Sequence, residues 1–413
     1  MFTKKIIILI LFGYIYLLAG QNNTVNYSGI DKHADSAPGH LKNSIPALVN
    51  YLVRPAQNDF EKVRAIFRWI SQNIDYDVDS FFERRLINED PETVIRRGSA
   101  VCGGYAQLFK RMCREIAIPC EIIPGWSKIY VETLSSQPNH AWNAVRINQQ
   151  WYLLDVTWGS GYINDQQTYT KSFQEHYFLT DPSLMIYDHF PEDKKWQMLD
   201  SPITRQEFDN LILLRPDFFR TQLQLLSHKE SLINVSDELV IKIAAPPTTY
   251  INAELIKDNQ IQSDHFVFSQ RLDNEYSIHV HFPDEGDYVL RVYTKSGNQQ
   301  KLYHWACDYN IHVTKNVKAN LFAKAFASFY DLDCFIYYPM DHFIDSDKVQ
   351  PFKIMVPQAL EVTLLINEKN VVPLKKDNTI YTASIKPDKG PLRIMAKTDT
   401  GNQYQFLLEY QVK

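Results

Sequence analysis

A bias of charge is the first thing this sequence lacks. Its 43 lysines and arginines stand against 48 aspartates and glutamates, a formal net charge of -5. The sequence pI is near 6.2. That balance gives no electrostatic basis for a nucleic-acid partner. Beyond the N-terminus no stretch is apolar enough to span a bilayer. Cysteine is scarce, with five residues in 413. An odd number cannot pair completely, so at least one thiol is free. No cysteine precedes Cys102, which excludes a lipid-attachment cysteine behind an N-terminal signal. Cys113 and Cys120 lie too far apart for a Cys-x2-4-Cys zinc knuckle. No Asp-x-Asp-x-Asp-Gly loop is present, and Asp75-Tyr76-Asp77-Val78-Asp79 reads as a polar loop. No metal and no cofactor is expected.

What is present begins with the N-terminus. Lys4 and Lys5 precede a nearly unbroken apolar run from Ile6 to Leu18, and Ala19-Gly20 follows before Gln21. This reads as an export signal over 1–20, of a bacterial secretory style. The run is short for a membrane span, although Leu18 is large for a cleavage site, so an uncleaved anchor is the alternative. The expectation is an exported, periplasmic or extracellular protein with no span in the mature chain. Its partners would be a protein or peptide substrate and cell-envelope or extracellular proteins.

Hydrophobic residues make 45% of the chain and charged residues 22%, enough for ordinary cores. Residues 21–40 show no period and read as a loose lead-in. Val63, Ile66, Phe67, Ile70 and Ile74 then recur at helical spacing, with Asn58 and Glu61 as an N-terminal cap signal. A second helix is predicted from Cys102 to about Ala117, with Ala106, Phe109, Cys113 and Ile116 facing inward. Pro119 ends it. Strands are predicted at Cys120–Ile123, Ala141–Ile147 and Trp151–Val156, the last two joined by the turn Asn148-Gln149-Gln150. The charged run Asp188 to Lys195 reads as a solvated loop, and His176 and His189 read as structural. From about Asp217 short strands alternate with turn residues, the texture of β-sandwiches. A weak repeat runs through them: Lys242-Ile243-Ala244-Ala245-Pro246 resembles Lys353-Ile354-Met355-Val356-Pro357, and Pro283-Asp284-Glu285-Gly286 resembles Pro387-Asp388-Lys389-Gly390. The chain therefore reads as α+β: a first domain over 41–204, then immunoglobulin-like β-domains over 205–316 and 317–413.

Cys102, His140 and Asp155 form an ordered trio. A thiol at a helix start gains anion stabilisation from the dipole and the first-turn N–H groups. A neighbouring imidazolium would hold the thiolate as an ion pair. His140 would move the proton, and Asp155 would fix its tautomer. The 15-residue gap between them suits adjacent antiparallel strands. Gly103 would let a substrate backbone lie near the sulfur, and Tyr76 and Trp158 could line an acyl site. Singly, each member has a bland reading as core cysteine, structural histidine or turn aspartate. Together, the catalytic reading is the stronger one.

The motifs Trp69-Ile70-Ser71-Gln72-Asn73-Ile74-Asp75-Tyr76-Asp77, Val101-Cys102-Gly103-Gly104-Tyr105-Ala106, His140-Ala141-Trp142-Asn143 and Leu154-Asp155-Val156-Thr157-Trp158-Gly159, with the tail Tyr177-Phe178-Leu179, His189-Phe190-Pro191 and Trp196, carry a resemblance. The stretch from Phe60 to Leu199 resembles the transglutaminase-like superfamily, in the branch of kyphoscoliosis peptidase and the cytokinesis proteins. The resemblance implies a papain-like core, with Cys102 as nucleophile, His140 as base and Asp155 as orienting acid. It implies a cysteine-dependent acyl-transfer enzyme, peptidase or transglutaminase-like, that attacks protein or peptide amides through a thioester. The alternative is a non-catalytic binding or scaffolding protein that keeps the core as a docking module.

Overall fold

The computed structural model describes residues 26–83, 90–128, 137–164, 166–297, 302–314, 320–401 and 403–413. The proposed export signal lies outside them. The described chain is α+β, and it divides into two compact units. One comprises the described residues within 26–122, 143–151 and 155–173; the other comprises those within 123–142, 152–154 and 174–413.

The first unit is built on helices. Asp59–Asn73 forms as the apolar spacing predicts: the Asn58 side chain accepts from the Glu61 N–H at 3.0 Å, and Val63, Ile66, Phe67 and Ile70 are buried. Burying each such side chain contributes about 2 kcal/mol. Cys102–Glu115 lays Tyr105, Phe109, Met112 and Cys113 into the same interior. The lead-in departs from expectation. Ser28–Asp35 is a helix with only Ile30 and Ala34 buried, too few to show a period. Two bidentate pairs fasten it instead: Arg64 to Asp31 at 2.7 Å and 2.7 Å, and Arg68 to Asp35 at 2.8 Å and 2.7 Å. Asp75–Asp79 is likewise more ordered than a polar loop. Asp75–Tyr76 pairs in parallel with Ser99–Ala100, and Asp77 caps the Val78–Phe82 helix through Ser80.

A four-stranded sheet runs in the order Gln150–Leu154, His140–Ile147, Cys120–Ser127, His189–Pro191. The first two strands are joined by a tight turn in which Asn148 and Gln149 both have positive φ, 49° and 67°. That is the geometry matching the twist of a two-residue hairpin.

The second unit contains two sandwiches built to one plan. In the first, the sheet Gln224–Leu225, Leu239–Ala244, Glu275–Val280, Val267–Leu272 faces the sheet Leu232–Val235, His304–Val313, Gly286–Ser296, Thr249–Lys257, Gln260–Ile261. Ile241, Ile278, Leu290 and Tyr309 fill the space between. In the second, Phe335–Tyr338, Gln350–Met355, Ile380–Ile385, Lys375–Asp377 faces Lys324–Ala325, Gln405–Val412, Gly390–Lys397, Glu361–Ile366, Asn370–Pro373. The sequence repeat maps onto this symmetry. Gly286 and Gly390 open equivalent strands with φ of 125° and 127°, a conformation that disfavours any residue with a Cβ.

Candidate functional site

The first unit holds Cys102, Tyr76, Gly103, Asp155 and Trp158. Cys102 is the first residue of its helix, and the Val101 carbonyl accepts from Gly104 N at 2.9 Å and Tyr105 N at 3.2 Å. The positive end of the helix dipole therefore lies at the thiol. Cys102 is the one cysteine that is not buried. Burial pushes the thiols of Cys113, Cys307 and Cys334 well above their usual range, away from reactivity. A Cβ added at Gly103 would meet nothing within 4 Å, so the space beside it is open.

Asp155 follows the Gln150–Leu154 strand and is fully buried. Its Oδ1 accepts from Thr157 N at 2.8 Å and Trp158 N at 3.1 Å, and its carbonyl accepts from Gly159 N at 2.9 Å. A buried carboxylate is costly unless such donors meet it. The turn after the strand thus aims backbone N–H groups at one oxygen and fixes the side chain. Trp158 is half-buried.

Tyr76 links the two ends of this half of the trio. Its register partner is Ala100, two residues ahead of Cys102. Burial holds the phenol well above its ordinary pKa of 10.0, and the charges of Cys102, Asp155 and Asp77 act on it in the same direction. Tyr76 therefore stays a neutral hydroxyl, close enough to feel both the sulfur and the carboxylate. Tyr105 backs it at a ring distance of 6.5 Å, and its own hydroxyl donates to the Ile74 carbonyl at 2.7 Å.

The second unit holds His140, which opens its strand and is 6% exposed. Its ring lies 6.0 Å from that of Trp142, nearly parallel at 25°, and 5.3 Å from that of His189. The expectation of a solvated loop from Asp188 to Lys195 holds for the exposed Glu192 to Lys195 and fails for Asp188 to Pro191. Asp188, His189, Phe190 and Pro191 are buried, and His189–Pro191 pairs with the strand ending at Ser127. Asp188 meets its partners His189 and Tyr177 inside, so its charge does not mark a surface. Sequence reasoning missed Asp188 and His189 as site neighbours. The available signal was an Asp-His pair set directly before Phe190-Pro191.

Residues 46–156 match the transglutaminase-like superfamily, and residues 205–323 match the KY-like, immunoglobulin-like domain. The chain carries a transglutaminase-like domain followed by a KY-like immunoglobulin-like domain. Kyphoscoliosis peptidase of Mus musculus is 33% identical over 278 residues, covering 66% of this chain and 41% of that one. Hillarin of Drosophila melanogaster is 27% identical over 311 residues, covering 67% and 37%. Cytokinesis protein 3 of Schizosaccharomyces pombe is 28% identical over 230 residues, covering 54% and 25%. The chain thus spans less than half the length of each of these relatives.

These relatives overturn the expected export by a bacterial route. They are eukaryotic proteins, and none is named as an exported one. An apolar N-terminal run preceded by two lysines is therefore not a sufficient sign of secretion. Among the described residues no helix is long and apolar enough to cross a membrane.

Proposed function

We propose that the transglutaminase-like domain is a cysteine acyl-transfer enzyme acting on protein or peptide amides. Cys102 attacks the amide carbon and forms a thioester. His140 takes the thiol proton and returns it to the leaving amine. Asp155 orients His140, and an amine or water then releases the acyl group. Gly103 gives the substrate backbone its approach, and Tyr76 and Trp158 line the acyl position. The observation that carries this reading lies in the first unit: a half-exposed thiol at a helix start and a buried, donor-fixed carboxylate act on one neutral tyrosine hydroxyl. A buried His140 at the head of the next strand supplies the third part.

The test is alkylation of the native protein by iodoacetamide near pH 6 and, on a separate unalkylated sample, incubation with a peptide library with and without added amine. Fast labelling of Cys102 that His140→Ala abolishes, together with peptide mass changes, supports the enzyme. The mass changes separate hydrolysis, deamidation and cross-linking. A Cys102 that reacts no faster than a free model thiol favours a scaffold that keeps the domain for docking.

A further inference from the structure

Two buried rings, Trp142 and His189, pack on His140. Trp142 and His189 lie 5.0 Å apart, edge to face at 79°, and each packs on His140 at the distances given above. Trp142 and His189 are each 1% exposed. His189 is itself held on its far side. Its Nδ1 lies 2.5 Å from Asp188 Oδ1, and Asp188 Oδ2 accepts from the Tyr177 hydroxyl at 2.9 Å. An ionised carboxylate is acceptor-only, and against one His189 would carry its proton on Nδ1. The backbone pins the same point, since Ser127 is the register partner of His189 and Lys128 N donates to the Asp188 carbonyl at 3.0 Å.

A core needs none of this. A buried carboxylate with a buried imidazole breaks even at best against apolar side chains of the same volume. Its placement against the ring of the proposed base gives it a purpose. We propose that His189 is a positioning residue for His140, its ring plane fixed by the Tyr177–Asp188–His189 chain so that His140 is held in one orientation. The inference rests on His140 being the base of the acyl-transfer reaction.

The Asp188 carboxylate also lies one ring away from His140, where a negative charge favours the imidazolium over the neutral ring. The other titratable groups facing Asp188 are Lys128, brought down to about 8 by burial, and His176, brought down to about 4 by burial. Near pH 6 His176 is neutral and Lys128 is charged, so neither is in mid-titration at the pH where the rates are compared.

The test compares the pH profile of Cys102 alkylation in the wild type, Asp188→Asn and His140→Ala, with melting temperature measured alongside. Asparagine keeps the shape and an acceptor but removes the charge. The expected result is a labelling midpoint moved up by half a unit to one unit, and a rate at pH 6 reduced about 5-fold, in a protein that still melts cooperatively. A folded Asp188→Asn with the wild-type profile overturns the proposal and leaves His189 as a core residue. If instead His140→Ala leaves the wild-type profile intact, the triad falls first and this inference with it. Should Asp188→Asn fail to fold, Tyr177→Phe decides: it removes one hydrogen bond from the carboxylate, and an unmoved midpoint overturns the proposal.

Discussion

Asp155 separates two roles that one substitution would confuse. Its Oδ1 accepts from two backbone N–H groups at 2.8 and 3.1 Å. Asp155→Ala leaves both donors without that acceptor. An unsatisfied buried donor costs about 1–3 kcal/mol, and Trp158 is only half-buried, so the loss sums to about 3 kcal/mol. Asp155→Asn keeps an oxygen in the same place. It weakens two charge-assisted bonds, but it also removes the cost of burying a charge, so the net loss stays near 1 kcal/mol. Both variants should lose about 10³-fold in acyl-transfer rate, because neither offers a carboxylate to an imidazole. Urea unfolding at pH 7, followed by tryptophan fluorescence, measures the first effect, and peptide turnover measures the second. Equal stabilities for the two variants would refute the account of the turn. Unchanged turnover in Asp155→Asn would remove Asp155 from the site.

Three further outcomes are expected. His176 is pushed down from 6.5 to about 4 by burial, and its ring stacks on Phe219 at 4.2 Å. The unfolded chain binds this proton at higher pH than the folded one. Stability is therefore full above pH 6.5 and lost as pH falls towards 4, by about 2–3 kcal/mol after allowing for partial exposure. His176→Phe should flatten that decline in urea titrations at pH 7 and pH 5, and an unflattened decline would point to other groups. Gly390→Ala should cost more than Gly286→Ala: both face the φ penalty of about 1–2 kcal/mol, but a Cβ at Gly390 also collides with Asn367 Oδ1. Thermal melts of the two variants check the order. Tyr76→Phe should keep the fold and change the rate of Cys102 labelling; an unchanged rate would place the hydroxyl outside the site.

Much of this protein is legible in its sequence where the determinants are local. The Asp59–Asn73 helix carries its cap, its stripe and its end within 17 residues of sequence, from Asn58 to Ile74. The strand Thr249–Lys257 buries alternate residues, as period-two patterning requires. The repeated Pro-Asp-x-Gly marks equivalent strand starts because only a glycine suits φ near 125°. What was missed depends on distant partners. The Ser28–Asp35 helix is held by arginines 33 residues away. Asp188 looks solvent-bound in sequence and is buried because Tyr177 and His189 meet it. The proximity of His189 to His140 follows from strand placement, which a spacing of 49 residues does not reveal.

The most direct measurement is the intact mass of the protein mixed with an amide peptide and quenched rapidly in acid. A covalent acyl adduct that maps to the peptide bearing Cys102, and is absent from Cys102→Ala, is the predicted result. Peptide turnover that persists in Cys102→Ala, or turnover with no adduct at that sulfur under any quench, would contradict it.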